Sequence, residues 1–165
     1  MDTDAIHSKR LRELYAYWRS KAKGCWPSRA DIDPAEIPHL LPYVFLVDVE
    51  RDPQRFRFRL IGTQICAWSG RDVTGMYVDD PAYGPRGPEV IRQYAEVIAR
   101  GLPFYIERPA SRPERDYAYY DRIALPLAQD GRTVDMLLCA ADMLPPSPDL
   151  RAGRYREMWD DKLPE

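Results

Sequence analysis

Tyr105, Tyr119 and Asp121 fall in alternating stretches late in the chain, and Tyr94 and Ile98 lie four residues apart in a helical pattern upstream. With Ile65 and Trp68 from a shorter helical stretch, they form a set of phenols and one carboxylate among large apolar groups. Such a set suits the binding of a small organic molecule, because ligand pockets are mostly apolar with a few placed polar groups. It also suits an ordinary core whose tyrosine hydroxyls reach the rim. The plainer reading carries more weight, since a buried polar group needs a partner whether or not a ligand exists. Tyr119, Tyr120, Asp121 and Arg122 stand side by side, but alternation along a strand sends them to opposite faces, so they cannot all line one site.

Catalytic patterns are missing from the sequence. It shows no nucleophile elbow, metal-ligand cluster, phosphate-binding glycine loop or Ser/His/Asp set. Its two histidines, His7 and His39, offer little general-base chemistry near neutral pH. Cys25, Cys66 and Cys139 are widely spaced and odd in number, which implies neither a disulfide framework nor a metal site. Cys66 reads as a small buried apolar residue rather than a reactive thiol. Arg55, Arg57 and Arg59 form a row on one strand face, best read as a solvated edge protected by charge. Arg59 is placed to pair with Asp48 on a neighbouring strand.

A chain of 165 residues fits one domain, with a helix to spare at each end. Hydrophobic residues make up 45% and aromatics 12%, enough for a core. The net charge of -2 gives no electrostatic reason to expect nucleic acid or an anionic membrane as partner. The apolar runs are too short to span a bilayer, and the N-terminus lacks the basic start and apolar stretch of a secretory signal. These features point to a cytoplasmic protein.

The elements that must position the candidate residues are legible. Residues 6–23 carry a helical stripe of Leu11, Leu14, Tyr15 and Trp18. That stripe covers either the domain's own core or a second subunit. A short helical turn follows at Asp33-Pro34-Ala35-Glu36. Residues 43–50 read as an interior strand, and Phe56, Phe58 and Leu60 as the apolar face of a second. Short helical stretches come next, then a longer helix over 89–100. Strands are expected over 104–108, 117–127 and 133–143, with a polar turn at 109–116 and a hairpin signal at Asp130-Gly131. Residues 150–162 suggest a loose helix, weakened by Gly153. The division is a flanking helix over 1–25, a domain over 26–144 and a tail over 145–165. Strands grouped around a helical middle predict an α+β fold: a five-stranded antiparallel sheet with helices on one face. If the first and last strands are interior, the order is 2-1-5-4-3.

Four stretches carry a resemblance: Trp26-Pro27-Ser28-Arg29 with Asp31-Ile32-Asp33-Pro34; Leu41-Pro42-Tyr43-Val44-Phe45-Leu46; Phe58-Arg59-Leu60-Ile61-Gly62-Thr63; and Gly70-Arg71-Asp72-Val73-Thr74-Gly75. In order and spacing these resemble the PAS domain family, and within it short bacterial proteins consisting of little more than the domain, over residues 10–143. The resemblance implies a signalling module with a pocket between sheet and helices, no catalytic residue, a homodimer paired through the N-terminal helix, and a protein partner that supplies the output. It also invites haem and flavin, and residue identity argues against both. No histidine lies between His39 and the C-terminus to ligate haem, and Cys66 lacks the neighbours of a flavin-reactive cysteine. Two rival readings stand beside it. One is a cone-shaped α+β enzyme or carrier with a Tyr/Asp/Arg pocket, which would not place the first and last strands together. The other is a pure dimerisation module with a filled core.

Overall fold

The computed structural model describes residues 6–109, 119–144 and 156–159, with side chains for 6–107 and 121–144. Its elements are α1 (Lys9–Lys21), β1 (Val44–Glu50), β2 (Arg55–Ile61), α2 (Thr63–Ser69), α3 (Gly87–Arg100), β3 (Phe104–Pro109), β4 (Tyr119–Leu127), β5 (Met136–Leu144) and β6 (Arg156–Trp159). Single 3-10 turns fill the connection between α1 and β1, one of them the expected turn at Pro34–Glu36, capped by the Asp33 carboxylate.

The strands form one antiparallel sheet in the order β2-β1-β5-β4-β3-β6. The predicted order 2-1-5-4-3 is present, with β1 and β5 paired from Val44↔Ala140 to Asp48↔Met136. Both are nearly all apolar because both of their faces are covered. This central pairing rejects the cone-shaped fold. The sixth strand is a correction: at 156–159 the tail is a strand paired with β3, not a helix. An edge strand offers a row of unpaired backbone groups, and Trp159 suits an extended chain better than the helix that Gly153 already weakened. The rest of the expected tail helix, and the expected turn from 110 onward, lie outside the described residues.

Alternation divides the sheet into two covered faces. Phe45 and Val47 of β1, Phe56 and Phe58 of β2, Leu137 and Cys139 of β5, and Arg122 and Ala124 of β4 share the inner face, by register. Tyr94 of α3 packs there, edge-on to Phe56 with ring centroids 5.5 Å apart. Leu138, Ala140 and Asp142 of β5 share the outer face with Asp121, Ile123 and Leu125 of β4 and Tyr105 and Glu107 of β3. α1 covers this outer face. Its Leu11, Leu14, Tyr15 and Trp18 are no more than 1% exposed within the single chain. Trp18 stacks on Trp26 at 5.8 Å, and its indole N–H donates to the Pro126 carbonyl at 2.9 Å. The stripe is therefore absorbed by the chain's own core and is not presented to a second subunit.

One strand departs from its pattern. A bulge sets Leu46 opposite Leu60 but Val47 opposite Phe58, leaving Arg59 as the extra residue. The side-chain parity flips there, so Leu60 leaves the apolar face of Phe56 and Phe58 and is 46% exposed. Gly62 follows, where a Cβ would sit 2.6 Å from the Leu41 carbonyl oxygen. Only glycine lets β2 turn into α2 this close to the strand's neighbours.

Candidate functional site

Two buried polar clusters back onto each other across β4, because Asp121 and Arg122 are consecutive. On the inner face, Arg122 is 2% exposed and lies against the Tyr94 ring, 5.3 Å from its centroid. Its guanidinium donates to Gln93 Oε1, and Gln93 donates in turn to Glu89 at 3.2 Å. Gln93 and Tyr94 are adjacent on α3, so one turn of helix holds both partners over the sheet. Phe104, Ile106 and Ala124 share this face and are fully buried. Burial pushes the Cys139 thiol up to about 12, which keeps it neutral beside Arg122 and Tyr94. A fixed cation under a helix, ringed by aromatic and aliphatic groups, can receive the anionic end of a small molecule.

On the outer face, the Tyr105 hydroxyl donates to Asp121 Oδ2 at 2.7 Å. Burial pushes the Asp121 carboxyl up to about 7, and the nearby carboxylates of Glu107 and Asp142 add to that, against the Tyr105 hydrogen bond and His7. Burial and the Asp121 charge together raise the Tyr105 phenol well above the ordinary tyrosine range. The segment entering α1 closes over this cluster. Ser8 caps the helix by accepting from the Leu11 N–H at 3.1 Å while its hydroxyl donates to Asp142 Oδ2 at 2.8 Å.

The structure thus splits the predicted site. Tyr94 lies on the inner side with Arg122, whereas Tyr105 and Asp121 lie on the other side of the sheet. Tyr119 shares the parity of Asp121, and its side chain is outside the described residues. Ile65 and Ile98 are partly buried against the core. Trp68 is tilted against Tyr43 at 5.7 Å, on the ring that Arg10 also covers at 4.2 Å. Asp121 and Arg122 take opposite faces, as alternation predicts, and it is Arg122 that lies with Tyr94. Sequence reasoning passed over Arg122 and Gln93 because each looks like a surface residue. The signal was present in Arg122, the lone cation between Asp121 and the apolar run Ile123 to Leu127.

The remaining candidates are surface features. Arg59 reaches Asp48 at 3.5 Å, and Arg57, its registered partner, does so at 3.0 Å. Arg55 pairs bidentately with Asp79. Cys66 is partly exposed, not buried, and partial burial with Asp72 nearby raises its thiol. His39 lies at the surface against Glu13, at 3.0 Å. Among the described residues no group of three or more His, Cys, Asp or Glu could hold a metal ion, and no helix is long and apolar enough to cross a membrane.

Comparison with curated proteins found no match, and comparison with solved structures found none either. A protein-family model described as PAS domain matches residues 6–141. That span takes in α1, the inner-face cluster and the outer-face cluster except Asp142, and the order 2-1-5-4-3 within the sheet is consistent with the PAS fold. By this match over most of its length the chain belongs to the PAS domain family, whose members are in general sensory and regulatory modules.

Proposed function

We propose that this chain is a non-catalytic sensor in signal transduction, which takes a small organic anion between α3 and the inner face of the sheet and passes its state to a protein partner. The observation that supports the reading is Arg122, a guanidinium 2% exposed and stacked on Tyr94 beneath α3. A buried charge is costly unless something uses it, and a hydrophobic replacement of similar volume is often no less stable. Arginine's planar fork of donors matches a carboxylate or phosphate. The anion would sit against Tyr94, Phe104 and Ile106, with Gln93 able to swing from Arg122 to the ligand.

Self-association remains part of the proposal, since PAS domains commonly mediate dimerisation. It would use surfaces other than Leu11, Leu14, Tyr15 and Trp18, which the chain itself buries. The cytoplasm is the proposed location. Native mass spectrometry of protein purified from its own host tests the ligand: a bound small acid supports the reading. A ligand-free mass, with no thermal shift from a panel of organic acids at millimolar concentration, overturns it in favour of a module with a filled core.

A further inference from the structure

Three acidic residues occupy matching positions on three neighbouring strands, Glu107 opposite Asp121 and Asp121 opposite Asp142. Each is at most 3% exposed, and all three point to the outer face. The segment leading into α1 lies across them. His7 Nδ1 is 2.9 Å from Glu107 Oε1. Arg10 Nη1 donates to both oxygens of Asp142, at 3.0 and 3.1 Å. The His7 backbone N–H donates to the Tyr105 hydroxyl at 3.4 Å, and that hydroxyl donates to Asp121. Glu107 and Asp142 therefore each face a basic group. Asp121 faces a phenol, and its Oδ1 has no hydrogen-bond partner among the described residues.

We propose that residues 6–10 form a proton-controlled latch, seated on the carboxylate row while Asp121 holds a proton and lifted from it once Asp121 ionises. The charge count gives the direction. With Asp121 neutral, the carboxylates of Glu107 and Asp142 each face one basic group, His7 and Arg10. With Asp121 ionised, three buried carboxylates share those same two groups. Unpaired charge in a dry site is strongly unfavourable, and lifting the segment admits water to it.

The groups that face Asp121 are Tyr105 and Glu107 from β3, Asp142 from β5, and His7 and Arg10 from the segment. Ile6, fully buried, resists release. Leu11, Leu14, Tyr15 and Trp18 hold the body of α1 down, so the motion is confined to the stretch before the helix's second turn. The geometry agrees with an Asp121 carboxyl raised by burial to about 7. A raised carboxyl favours the seated form fully below the ordinary carboxylate range and loses that advantage as pH climbs through its seated value.

Hydrogen exchange of the full chain, corrected for the intrinsic pH dependence of exchange, tests the latch. Protection of the amides of residues 7–12 falls roughly tenfold per pH unit between about pH 5 and about pH 7, then levels off, as a single linked proton requires. The amides of β4 and β5 keep their protection over that range. Asp121→Asn, which still accepts from Tyr105 and carries no charge, keeps residues 7–12 protected at every pH. Flat protection in the unmodified chain, or an equally steep fall in Asp121→Asn, overturns the proposal. Should that variant not fold, infrared difference spectra of the unmodified chain decide: a protonated-carboxyl band must vanish over the same pH range as the protection. Its absence, or its loss at a different pH, also overturns the proposal.

Discussion

Asp121 and Arg122 are neighbours in β4 and point to opposite sides of the sheet, the carboxylate toward Tyr105 and the guanidinium toward Tyr94. One strand thereby carries a buried carboxyl group under the N-terminal segment and a buried cation under α3. A change at either face acts on the same strand, and the two clusters are close enough to be energetically coupled.

The outer cluster makes stability pH-dependent. Asp121 rises from an ordinary 3.8 to about 7 on folding, so its folded form is favoured at low pH and loses that advantage as pH rises from about 4 to about 7. The swing is as much as about 4 kcal/mol for a shift of this size. Urea denaturation of Asp121→Asn across that range shows a flatter profile than the unmodified chain. An unchanged slope would mean that Asp121 titrates normally.

Trp18→Ala removes a fully buried side chain, its stack on Trp26 and the donor to the Pro126 carbonyl. The expected loss is about 3–5 kcal/mol of folding stability. Because the indole is enclosed by its own chain, sedimentation of the folded variant gives the same oligomeric state as the unmodified protein. A large change in association with little change in stability would return α1 to the interface role.

Much of the architecture was legible in the residues. Two-faced apolar runs placed β1 and β5 at the centre, and glycine and proline marked the element ends. What eluded sequence reasoning has identifiable physical causes. Alternation says that Asp121 and Arg122 part company but not which one α3 covers; that depends on register across four strands. Leu60 departs from the face of Phe56 and Phe58 because of a bulge, which leaves no mark on an alternating pattern. The carboxylate row was invisible because Glu107, Asp121 and Asp142 are brought together only by strand pairing, and their partners His7, Ser8 and Arg10 lie a hundred residues and more away. The strand at Arg156–Trp159 depends on an open edge that local propensity does not describe.

Gly62→Ala pushes a methyl into the Leu41 and Pro42 carbonyls, which are backbone and cannot swing aside. Overpacking of this kind costs about 1–3 kcal/mol, read as a lower denaturation midpoint. A neutral substitution would show that the β2–α2 corner relaxes.

Purified protein is expected to show no haem or flavin band in the visible spectrum. His7 is engaged with Glu107 on the outer face and His39 with Glu13 at the surface, so neither stands beneath α3. A Soret or flavin absorbance that survives gel filtration would refute this.

The ligand reading rests on Arg122, and Arg122→Met tests it most directly. The thioether side chain fills similar space without charge but takes away the donor to Gln93 Oε1, so the variant stays folded with a stability about 1–3 kcal/mol lower than the unmodified chain. Calorimetric titration with the small acid recovered from the native protein should then show binding to the unmodified chain and at least a hundredfold weaker binding to the variant, as expected for loss of a buried charged contact. Equal affinity in the two proteins would contradict the account.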